Sequence, residues 1–126
     1  MPHSGVSRIF AVWGSVLGFL GVALGAFGAH GLRERISAES LAIYQTGVQY
    51  HMIHALALLA LAALSDRVRW ASLVGWLFVF GVVIFSGSLY LLAITGERWL
   101  GAVTPLGGVC FLGGWGVLAY GSFVNR

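Results

Sequence analysis

Lysine is missing from this sequence, and charged residues of all kinds fill only 9% of its 126 positions. A soluble domain carries about a quarter. So few charges cannot cover a water-facing surface without leaving large apolar patches, which excludes an ordinary water-soluble fold. The net charge of +3 comes from seven arginines against four acids, scattered through connections and chain ends. They form no basic stripe with interleaved aromatics, so a nucleic-acid surface is excluded as well. Arginines beside apolar runs act instead as interfacial anchors and topology signals.

Cysteine is nearly absent. Cys110 stands alone, so no disulfide can form within the chain. Inside an apolar run it lacks the electropositive surroundings that activate a thiol, and it reads as a small apolar filler. The acids Glu34, Glu39, Asp66 and Glu97 all fall in connections, which excludes paired carboxylates facing one cavity. Ser86-Gly87-Ser88 lacks the strand-to-helix setting of a nucleophile elbow. Gly107-Gly108 and Gly113-Gly114 lack the strand and the lysine of a phosphate loop. The sequence therefore points away from an enzyme, and no cofactor is predicted from a complete ligand set.

What the sequence does hold is 59% hydrophobic residues, gathered in four long runs at about residues 9–29, 41–64, 70–94 and 103–124. A hydrocarbon layer about 30 Å thick takes about 20 apolar residues as a helix. Backbone groups in lipid must be satisfied within the segment or by barrel closure. A barrel would show alternating segments of about ten residues, whereas these runs are continuous and about twice as long. The expected fold is an all-α integral membrane protein, one four-transmembrane-helix bundle over residues 1–126 with short connections. No internal repeat relates its halves.

The first run exceeds the usual h-region of a signal peptide, and it carries Gly14, Gly18, Gly21, Gly25 and Gly28 on one helical face. Retention of that run is expected, with the glycines as close-contact positions within or between chains. The fourth run has a sparser set, Gly107, Gly114 and Gly121. Ser37 and Glu39 suit the start of the second helix, and Pro105 suits a first turn of the fourth. Trp70, Trp99 and Tyr120 sit at the margins as interfacial anchors. Four arginines (Arg8, Arg67, Arg69, Arg126) flank the side of the termini, against three (Arg33, Arg35, Arg98) opposite. That count predicts cytoplasmic termini, in the cytoplasmic membrane if the source is bacterial.

Polar side chains inside the spans carry the functional signal, because lipid penalises them. Antiparallel threading puts His30, His51, His54, Ser86, Ser88, Tyr90 and Thr104 in the half of the membrane opposite the termini. His51 and His54 lie one turn apart on a helix. Three uses follow: an interhelical hydrogen-bond network, a site that binds or translocates a small molecule, lipid head group or proton, and a metal or haem site at His30, His51 and His54. Tyr44, Gln45, Thr46 and Gln49 are too polar for a lipid-facing surface, so this part is expected at the interface or with its polar side facing the bundle.

Four ordered motifs carry a resemblance. They are Gly25-Ala26-Phe27-Gly28-Ala29-His30-Gly31-Leu32, Tyr50-His51-Met52-Ile53-His54-Ala55-Leu56-Ala57-Leu58-Leu59, Phe85-Ser86-Gly87-Ser88-Leu89-Tyr90, and Thr104-Pro105-Leu106-Gly107-Gly108 with Gly114-Trp115 downstream. Together they resemble the small membrane proteins grouped as domain of unknown function 423, to which eukaryotic transmembrane protein 256 is similar. The resemblance covers essentially the whole chain and implies four helices with the first span retained. It supplies no activity or substrate. The expected role is a non-catalytic accessory or scaffold protein in the lipid bilayer, as a homo-oligomer or within a larger membrane complex.

Overall fold

A computed structural model describes residues 5–124; Arg126, counted above toward orientation, lies outside them. Four long helices account for nearly all of these residues: α1 (Gly5–Leu32), α2 (Ala38–Arg67), α3 (Ala71–Thr95) and α4 (Leu100–Val124). The shortest has 25 residues, about 37 Å at 1.5 Å per residue, enough to cross the hydrocarbon. No strand occurs among the described residues. The chain is an all-helical membrane protein with four spans and short connections.

Local chemistry fixes the ends. Ser37 is extended (φ −64°, ψ 160°) and its hydroxyl accepts from the Ser40 amide at the start of α2. The α3 helix stops at Gly96, whose φ of 74° turns the chain left-handed while its amide bonds the Leu92 carbonyl, a glycine C-cap. Trp70 also has a positive φ, 62°, which is unusual for a bulky residue. Its ring stacks on Tyr120 of α4 with centroids 6.0 Å apart, and the guanidinium of the neighbouring Arg69 lies 4.8 Å from the Trp70 ring. The Arg69 amide donates to the Gly121 carbonyl (3.1 Å), clamping the α2–α3 turn onto the end of α4.

Helices in lipid associate through close contact and hydrogen bonds rather than water exclusion. The α1 helix lies along α2 through its glycines. A Cβ at Gly14 would stand 2.9 Å from the Ala55 carbonyl oxygen, while Gly21, Gly25 and Gly28 face Met52, Val48 and Tyr44. Gly18 does not join them; nothing lies within 4 Å of its missing side chain. At 100° per residue it sits at one edge of the stripe, about 80° from Gly28 at the other, and the contact face is displaced toward Gly28.

The α3–α4 pair uses the same device, with Gly81 against Phe111, Gly114 against Phe78, and Gly107 and Gly121 against the backbone of Phe85 and Arg69. The α2 helix also runs beside α3, whereas α1 and α4 occupy opposite flanks. Phe10, Leu58, Leu61, Val74 and Phe78 make the apolar core; Leu32, Tyr44 and Ala93 form a smaller one at the other end.

Two features depart from the sequence reading. The α4 helix begins at Leu100, entered through Leu100, Gly101 and Ala102 amides bonded to Glu97, Arg98 and Trp99 carbonyls. Pro105 therefore lies in the second turn, inside the helix. Two stretches also widen into π-helix, Gly28–Leu32 at the end of α1 and Val82–Ser86 within α3. Phe85 belongs to the second, and it is the backbone of Phe85 that meets Gly107.

Candidate functional site: a buried polar network

Tyr44, His51, His54, Ser86 and Ser88 are all buried. Each side chain reaches another segment of backbone or another side chain. The Tyr44 hydroxyl donates to the Leu24 carbonyl of α1 (2.6 Å). The Ser86 hydroxyl donates to the Gly47 carbonyl of α2 (2.7 Å). Ser88 bonds the Thr104 hydroxyl of α4 and the Phe85 carbonyl.

The histidines go further, because each ring has both nitrogens engaged. His51 Nε2 lies 2.7 Å from the Leu17 carbonyl of α1, and Nδ1 lies 2.8 Å from the Tyr90 hydroxyl of α3. A carbonyl only accepts, so Nε2 carries the proton and Nδ1 of the neutral ring accepts from Tyr90. His54 has the opposite tautomer. Its Nδ1–H donates to the Tyr50 carbonyl (2.8 Å), and its Nε2 accepts from the indole N–H of Trp115 in α4 (2.9 Å). Indole is donor-only, so that bond requires a bare Nε2 on a neutral His54. The ring is stacked on Phe111, with centroids 3.7 Å apart and planes at 7°.

These bonds assign each expected site residue a place. His51 and His54 are neighbours in sequence but diverge, one joining α1 and α3 and the other reaching α4. Ser86, Ser88 and Tyr90 join the network as helix ties. His30 stands apart: it is exposed in the π turn ending α1 and makes no bond to the other two. His51 also lies nearer the middle of the bundle than the expected half opposite the termini. Leu17, level with His51, is nearer to Arg8 than to Arg33 along α1, which sets His51 near the bilayer centre.

Metal binding needs an unshared nitrogen pair on each imidazole. Both rings have that pair engaged by a donor, so ligation would break the Tyr90 or Trp115 bond. No group of three His, Cys, Asp or Glu residues able to share a metal ion occurs among the described residues. Every buried side-chain nitrogen and oxygen among them has a hydrogen-bond partner.

Two kinds of partner lie outside the sequence expectations, an indole and main-chain carbonyls. Trp115 gave the legible signal of an indole in an apolar run, where its N–H must find an acceptor. The carbonyls of Leu17, Leu24, Gly47 and Tyr50 have no side-chain signature at all. Of the polar residues early in α2, Tyr44 faces the bundle and bonds α1, whereas Gln45, Thr46 and Gln49 are exposed on the outer face of α2 and do not face the bundle.

Related proteins share this chain's length and membrane character. It is 49% identical over 111 residues to the UPF0382 membrane protein YwdK of Bacillus subtilis, covering 86% of this chain and 90% of that one. A UPF0382 membrane protein of Staphylococcus saprophyticus is 45% identical over 120 residues, 92% of this chain and 98% of the relative. The UPF0382 inner membrane protein YgdD of Escherichia coli is 44% identical over 119 residues, with 92% and 90% covered. No solved structure matches the chain. The profile of the family described as protein of unknown function, DUF423, matches residues 24–108, and the chain belongs to that family.

Proposed function

We propose that the protein is a non-catalytic helical scaffold of the cytoplasmic membrane, acting through association with further copies or within a larger membrane complex. The observation supporting this most directly is the complete engagement of His51 and His54. Groups otherwise suited to ligation or proton transfer instead tie α2 to its three neighbours. The inner-membrane designation of the Escherichia coli relative supports the location, and the arginine count favours cytoplasmic termini.

In this reading, protein purified in mild detergent carries less than stoichiometric metal and shows no Soret band. Its His51→Leu/His54→Leu variant loses thermal stability without losing any cofactor signal. Elemental analysis and visible absorption of the two proteins decide the point. A metal or haem band that disappears in the variant would replace the scaffold with a cofactor-bearing protein.

A second reading draws on the His51–Tyr90 bond beside the π turn of α3, a pair able to pass a proton. Proton flux into liposomes that falls on replacement of His51 would support it.

A further inference from the structure

Gln45 and Gln49 are exposed one turn apart on the outer face of α2, and no hydrogen bond within the described residues reaches either carboxamide. Their depth makes this informative. Residues 40–65 of α2, between Glu39 and Asp66, are uncharged. From the midpoint of that run Gln49 lies about 5 Å away and Gln45 about 11 Å, at 1.5 Å per residue. Both fall within the half-thickness of the hydrocarbon, about 15 Å. A carboxamide with neither water nor protein to bond is unfavourable there.

We infer that this face of α2 is a self-association surface, with a second copy of the chain supplying the missing hydrogen bonds. The inference rests on the scaffold reading and names its contact. A carboxamide has both donors and acceptors, so it pairs with its own kind. Two copies inserted with the same topology are related by an axis along the bilayer normal, which sets the two α2 helices parallel and equal residues at equal depth. Gln49 then meets Gln49 of the second copy, as an isologous contact requires.

The rest of the face suits a helix partner. Thr46, Gln49, Ile53, Leu56 and Ala60 are all exposed and recur at intervals of three and four, the spacing of a parallel helix seam. The Thr46 hydroxyl is occupied by the Ala42 carbonyl (3.0 Å), leaving Gln49 on the seam and Gln45 at its edge, one turn earlier, as the unpaired polar groups. Ala60 permits close approach beyond them.

The test uses full-length protein in liposomes at varied protein-to-lipid ratio, with Cys110→Ser as background. Ile53→Cys places a thiol on the seam and keeps both glutamines; Leu112→Cys, on α4 and 75% exposed, is the lipid-facing control. Oxidation should give a disulfide dimer from Ile53→Cys and none from Leu112→Cys. Adding Gln45→Leu/Gln49→Leu should raise the protein density needed for half-dimerisation about tenfold, equivalent to about 1.4 kcal/mol. Leucine suits a lipid-facing helix, so this variant tests pairing rather than folding.

Cross-linking that persists unchanged in the leucine variant overturns the glutamine contact while leaving a self-associating scaffold. Equal cross-linking at Leu112 marks random collision and overturns the surface. A chain that stays monomeric at every density overturns self-association itself. Scaffolding within a complex of other proteins would then be judged separately, by whether cross-links to other chains form in native membranes.

Discussion

At the scale of single residues, close contact separates glycines that look alike in sequence. A Cβ at Gly107 would come within 2.4 Å of the Phe85 amide nitrogen, a backbone atom that cannot swing aside. Gly107→Ala should therefore destabilise the protein by about 1–3 kcal/mol. Gly18→Ala, facing open space, should leave stability unchanged or raise it by up to about 1 kcal/mol. Thermal unfolding of both variants in one detergent gives the comparison; equal losses would contradict the assigned contacts. The His54–Trp115 bond is measurable in the same way. A double-mutant cycle of His54→Phe and Trp115→Phe should return a coupling between about 0.6 and 1.7 kcal/mol. A coupling near zero would mean that the two rings act independently.

At the scale of the element, the π turn in α3 holds Phe85, whose backbone lies against Gly107. A π turn holds an extra residue relative to α-helix, so deleting the exposed Val83 should restore a regular helix with its flanking faces in register. The prediction is an interaction: Gly107→Ala should cost markedly less in the Val83 deletion than in the parent chain. Equal costs in the two backgrounds would show that the widened turn does not create the contact.

This element also marks a limit of legibility. The four helices could be read from sequence because uninterrupted apolar runs of this length have few alternatives in lipid. The π turn has no comparable signature, since no proline or unusual composition announces Val82–Ser86. Pro105 misleads in the other direction: it favours a first turn, while upstream carbonyls at Glu97, Arg98 and Trp99 set the start. The polar side chains of the candidate site were legible by type. Their partners were largely not, because half of each histidine's bonding goes to main-chain oxygen.

At the scale of the whole molecule, Ser122 near the end of α4 and Glu97 in the α3–α4 connection emerge at opposite ends of the bundle. With Cys110 replaced by serine, a membrane-impermeant thiol reagent added outside intact cells should label Glu97→Cys and spare Ser122→Cys. The reverse pattern would invert the orientation that the arginine count favours. The bond from Trp115 to His54 spans 61 residues of sequence, and it sets an order on how the protein comes into being. During synthesis at about 5–20 residues per second, His54 is made roughly 3–12 seconds before Trp115 exists. Over that interval the Nε2 of His54 is without the indole N–H it accepts from in the finished bundle. The fourth helix completes the one that arrived second, so the polar network of α2 is not fully satisfied until Trp115 has been made.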